Sequence, residues 1–358
     1  MTVPIPESKV INWLWFPMAT AVVMNHTGSQ GVWSPYSIYA TLCIVIPETI
    51  CRIAVPLFFT FSGYLFFKGF EHWNKNVYRI KIRYCFHKLL VPYLFWNILA
   101  AVFLYSYSYL RMRLGSVPYL SLSDQVHQWK GLRIFWDCDK GLPLNYSLWY
   151  FRDLILYIVL SPALQYLLKK VRWVGVFLLG IAYLVFDSFH FLGGLFFFSL
   201  GSQLRFSQRS IQEISFSLRW PALIVSSLLI PMIVWTFREI PWVSSLLMRL
   251  FVLCGFIAVF YLVSTAFQKG HIKENPFLQK FAFFTLSAHG ILILNDFAHY
   301  IIMHSLPFRG EAYYCIDLFL RPTLAIGMCL ILYCIFSKII PNFLRNVSVQ
   351  DIHLAETP

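Results

Sequence analysis

The sequence predicts an all-α fold, a polytopic membrane helical bundle of about ten transmembrane helices with both termini cytoplasmic. Three observations carry that prediction. Of 358 residues, 58% are hydrophobic and only 13% are charged, against about 25% charged in a soluble domain. The apolar residues form long runs such as VPLFFTFSGYLFF, LIVSSLLIPMIVW and LAIGMCLILYCIF, and a helix that crosses a bilayer needs about 20 of them. The basic residues, which set a net charge of +13, gather between alternate runs.

In order, the runs place spans at 10–27, 48–67, 86–105, 148–168, 173–186, 191–204, 220–237, 247–267, 281–302 and 315–337. No basic leader or small-residue cleavage site precedes the first run, so it is expected to stay in place as a span. The second opens at CRIAVPLFF, the third at KLLVPYLFW and the fourth at LWYFRD. Asp187, His190 and the Gly193-Gly194 pair divide 173–204 into two short spans. With the N-terminus inside, 18 of the 29 Lys and Arg fall on inner segments, 8 on outer loops and 3 within spans. That is the bias of a cytoplasmic face. A single helix over 173–204 would turn eight of the later basic residues outward and three inward, against the rule. Residues 1–341 thus form one membrane domain, and 342–358 a short polar tail. The largest outer loop, 106–147, carries Asp124, Trp129, Trp136, Asp137 and Asp139.

This pattern also narrows function. The lipid bilayer is the first partner, and no nucleic acid is expected, because no basic helix stands clear of the apolar runs. Cys51, Cys85, Cys254, Cys329 and Cys334 sit inside runs without a CxxC, so neither a disulfide framework nor a metal site is expected.

Polar groups inside spans cost roughly 2.5–3.5 kcal/mol each on the insertion scale and need a reason. His26 closes span one and Arg52 opens span two. Trp149, Arg152 and Asp153 open span four. His289, Asp296 and His299 lie in span nine, and Arg321 in span ten. Counting residues from the span ends puts His26, Arg52 and Arg152 in the outer half. His289 falls about 12 Å above the inner boundary, so two levels are expected. Arg52 and Arg152 also suit snorkelling to headgroups, and Arg152 suits pairing with Asp153 or Glu48. Asp296 and His299 are spaced to satisfy each other, and His190 and His304 sit at outer span ends. A glycan or solute transporter would line a path with the same groups. A scaffold would not need so many.

At these residues the chain resembles the acyltransferase-3 family of membrane acyltransferases. Asn25-His26 is similar to the family's histidine closing its first span. RIAVPLFFTFSGYLF (52–66) resembles its Arg-x-x-x-Pro-x-Phe-Phe-x-x-Ser-Gly segment and is the most specific match. KLLVPYLFW, LWYFRDLILYIVLSP and FAFFTLSAHGI resemble its third, fourth and late spans. Trp15 stands where the family has Arg or Lys eleven residues before the histidine, and Thr285 where it often has Tyr.

The resemblance implies transfer of an acyl group, most often acetyl, from cytoplasmic acyl-CoA to a hydroxyl of a cell-surface glycan or lipid-linked sugar, without a permanently bound cofactor. It also implies residence in a bacterial inner membrane. Such chemistry needs a base, which suits histidine, and a cation for the oxyanion. His26 is then expected as general base, Arg52 and Arg152 as oxyanion or donor contacts, and His289 as a second acid–base or donor-channel residue. Asn25, Ser62, Trp149 and Arg321 are expected against substrate. Lys81, Arg83 and Lys88 are expected at the phosphates of CoA.

Overall fold

The computed structural model describes residues 6–27, 34, 36–69, 74–113, 131–138, 141–186, 190–290 and 310–339, without the side chains of residues 27, 111, 112 and 190. Asp124, Trp129, Asp139, Asp187, Asp296, His299, His304, the later part of span nine and the 342–358 tail lie outside the described residues. Among the described residues the protein is helical, without a β-strand. Five helical runs are long and apolar enough to cross a membrane: Ile38–Phe66, Lys75–Leu110, Arg219–Glu239, Pro241–Gln268 and Glu311–Ile339. The chain is an integral membrane protein.

The first helix, α1, covers Glu7–Thr27. Its apolar stretch is interrupted by polar residues at both ends, which keeps it out of that set of five. The second expected span begins ten residues earlier than its apolar run suggested. Ser37 caps α2 (Ile38–Val45) by accepting from the Ala40 amide. A π-turn over Ile46–Ile50 and a 3-10 turn over Cys51–Ile53 then lead without a break into α3 (Ala54–Phe66). Arg52 read as a span-opening residue, yet it sits inside this run, as does Pro47. Pro47 stands in the first turn of the π-helical segment, and the Thr49 hydroxyl donates to the Ile44 carbonyl at 2.6 Å.

The third run is likewise longer than expected. It joins α4 (Lys75–Cys85), capped by Asn74, through a π-turn to α5 (Val91–Arg113). Helix α6 (Trp149–Val159) passes through Leu160 into α7 (Ser161–Val185), which breaks at Arg172 with φ 50° and ψ −133°. Helix α8 spans His190–Phe206, so the chain does part between Val185 and His190. Then come α9 (Ile211–Ser217), α10 (Arg219–Glu239), α11 (Pro241–Gln268), α12 (Pro276–Ala288) and α13 (Glu311–Ile339).

Two packing relations set the site. Helices α3 and α8 approach to backbone contact. A Cβ on Gly63 would lie 2.1 Å from the Phe198 carbonyl oxygen, and one on Gly201 2.0 Å from that of Thr60. Small residues permit such an approach between apolar helices, and the Ser62-Gly63 step serves it here. Helix α1 packs against α3, α12 and α13. At one end Glu7 accepts from the Tyr64 hydroxyl at 2.7 Å, so α1 is antiparallel to α3. At the same end Lys9 pairs with Glu274 at 3.8 Å and Gln279 donates to Asn12 at 3.2 Å. Helix α12 therefore starts beside the start of α1 and runs with it.

Candidate active site

The parallel course of α1 and α12 brings two histidines together at the far end. Their ring centroids are 5.4 Å apart. This corrects the expectation of two levels. Helix α12 begins at Pro276, five residues before the predicted 281, which lifts His289 to about 20 Å above its start, level with His26. Tyr146 meets the His26 ring edge-on with centroids 5.0 Å apart.

His289 is fully buried, and its Nδ1 lies 2.9 Å from the Thr285 carbonyl oxygen. A carbonyl only accepts, so Nδ1 carries the hydrogen. Nε2 is then the basic nitrogen, and it has no hydrogen-bond partner among the described residues. Below the pair, Trp15 is buried between the rings of Phe58 and Phe283, at centroid distances of 4.9 and 4.6 Å. Where the resemblance expects a cation, this chain packs an aromatic stack.

A cavity of about 370 Å³ opens beside His26, within the range of small-molecule sites. Asn25, His26, Arg52 and Trp149 line it, together with Phe59, Tyr146, Tyr183, Phe197 and Arg249. Aromatic walls with a few polar groups are the usual lining of a small-molecule site. The Arg52 side chain is half exposed and makes an ion pair with Glu48 one turn earlier. Arg249 donates to the carbonyls of Tyr183 and Leu184 and to the Ser245 hydroxyl, tying the end of α7 to α11. His289 sits behind His26 and is not part of the lining.

The other predicted residues lie off the cavity. Arg152 donates to Asp153 at 2.8 Å, to the carbonyl oxygens of Trp136 and Gly141, and stacks over the Trp136 ring. It clamps the 131–142 segment onto α6. Arg321 is 1% exposed and paired with Asp317. Ser62 is buried with its oxygen 3.4 Å from the Tyr150 hydroxyl. Lys81 is buried and donates to the carbonyls of Phe66 and Lys68 at 2.6 and 2.7 Å, capping α3. Arg83 is exposed and Lys88 half-buried over the Tyr84 ring. Lys81 sits at the end of α3 remote from Arg52, about 20 Å away along the helix.

Sequence reasoning missed Tyr146 and Arg249. Tyr146 lies at the end of what read as an outer loop, and Arg249 counted only as an outer-loop charge. Arg249 falls three residues into span eight as drawn, and that position was the available signal.

Comparison with known proteins gives two matches. A family model described as an acyltransferase domain matches residues 16–349. The succinoglycan biosynthesis protein ExoH of Rhizobium meliloti (strain 1021) is 29% identical over 173 residues, 46% of this chain and 44% of that protein. The match thus spans less than half the length of that relative. No solved structure matches.

Proposed function

The chain belongs to this acyltransferase family, and on that premise we propose that it moves an acyl group, acetyl in the first instance, from cytoplasmic acyl-CoA to a hydroxyl of a cell-surface glycan or lipid-linked sugar held in the aromatic cavity. The observation that carries the reading is the His26–His289 pair at the wall of a cavity that also presents Arg52.

In this mechanism the acceptor oxygen attacks the thioester carbonyl while His26 takes its proton. The C–O bond forms, the oxyanion is steadied by Arg52, and collapse breaks the C–S bond. The proton returns from His26 to the leaving thiolate. His289, with its basic nitrogen set by the Thr285 carbonyl, stands behind as the second acid–base group. General acid–base catalysis of this kind contributes about 10²–10⁴-fold. The donor's phosphates belong at the α4 end, where Arg83 and Lys88 remain candidates while Lys81 holds α3.

Ten spans with both termini inside, in a bacterial inner membrane, complete the reading. It is supported by Lys9 and the α4 cations sharing one end of the bundle while the histidines occupy the other. The relative's role in succinoglycan biosynthesis favours a polysaccharide acceptor. The test uses purified protein in liposomes with labelled acetyl-CoA and candidate glycans. Thioester loss that requires acceptor and vanishes in His26→Ala is the expected result. Equal rates in wild type and His26→Ala would refute the mechanism. For topology, a cysteine tag within 120–140 should label from outside, and labelling only from inside would invert the bundle.

A further inference from the structure

A buried polar network grips the histidine pair from both sides. Asn97 on α5 is fully buried. Its Nδ2 donates to the Tyr93 carbonyl one turn back at 2.9 Å, and its Oδ1 accepts from the Asn145 backbone amide at 3.1 Å. Asn145, also fully buried, accepts from the Ser147 hydroxyl at 2.9 Å, and its Nδ2 donates to the Ser287 carbonyl at 3.5 Å. On the other side of His289, a Cβ added to Gly290 would fall 1.7 Å from Ser147 Oγ and 2.2 Å from Asn145 Oδ1. Only glycine allows that approach.

The arrangement is reciprocal. Tyr146 touches His26, and its two neighbours, Asn145 and Ser147, grip residues on both sides of His289. An apolar bundle bears this polar network in its interior only because every partner is supplied. No residue of it lines the cavity beyond Tyr146, so the network touches no substrate.

We infer that Asn97, Asn145 and Ser147 are positioning residues that hold His26 and His289 at working separation by locking the 145–147 turn onto the end of α12. The inference rests on the catalytic reading of the histidines, but its geometry can be tested apart from activity. Sites held loosely by about an ångström lose catalysis without losing the fold.

The test has two arms. In liposomes, Asn145→Ala and the milder Ser147→Ala should lower kcat per folded molecule at least tenfold, with KM near wild type. In a His289→Gln background the same changes should cost nothing further, because their effect passes through His289. Losses that add in full in that background, or wild-type kcat in both variants, overturn the inference. The second arm replaces the pair by His26→Cys and His289→Cys. It measures bridging by dibromobimane, reading the linked peptide by mass spectrometry. Bridging should be efficient with the network intact and fall with Asn145→Ala. Unchanged bridging contradicts the positioning role. If the wild-type protein shows no acyl transfer, the catalytic reading fails while the bridging arm still decides the geometry.

Discussion

Arg321–Asp317 and His26–His289 are both polar pairs inside an apolar bundle, and they differ in what is left over. Arg321 and Asp317 are 1% and 3% exposed. They face each other one helical turn apart, with Nε and Nη2 directed at the two carboxylate oxygens. Each charge answers the other. The histidines meet across two helices, beside a cavity, and His289 Nε2 is buried with no partner among the described residues. The insertion cost that flags both pairs in the sequence has two separate origins. One is repaid inside the fold, and the other leaves a buried nitrogen without a partner among the described residues. Arg152 and Lys81 fall with the first kind, since each is spent on named carboxylate or carbonyl oxygens.

That contrast can be broken by substitution. The largest effect belongs to His26→Ala, for which transfer per folded molecule should fall by about 10²–10⁴ with little change in thermal unfolding. Retained transfer would remove the distinction. Arg321→Met should do the reverse. It strands the Asp317 charge and should destabilise the protein by about 3–5 kcal/mol, read by thermal or denaturant unfolding in detergent. Transfer per folded molecule should stay near wild type. Arg321→Met combined with Asp317→Leu should recover most of that stability. A smaller loss, about 1–3 kcal/mol, is expected for Lys81→Met, which leaves two carbonyls at the end of α3 without their donor. The KM for acyl-CoA should not move. A raised KM with unchanged stability would transfer Lys81 to the donor site.

Much of the helical architecture was legible, because long apolar runs admit few alternatives; one helix ends at Val185 and the next starts at His190, although Gly193-Gly194 lie inside α8 rather than at its start. Helix starts were not. The second span was drawn from Glu48, but a π-turn carries the helix through that point from Ser37. The error reached the site, because depth counted from span ends separated His26 from His289. Their meeting depends on the offset between α1 and α12, which shows in the contacts Lys9–Glu274 and Asn12–Gln279, distant in sequence. Arg321 shows the converse. Its partner Asp317 stands at the helical spacing of four, so its pairing was readable, while its place off the cavity was not. Asn97, Asn145 and Ser147 carried no sequence signal, because each matters only through where the chain brings it.

The most direct measurement compares two variants in the same liposomes, with acyl transfer to acceptor normalised to folded protein. His26→Ala is predicted to be folded and inactive, and Arg321→Met less stable and active. An active His26→Ala beside a folded but inactive Arg321→Met would contradict the account.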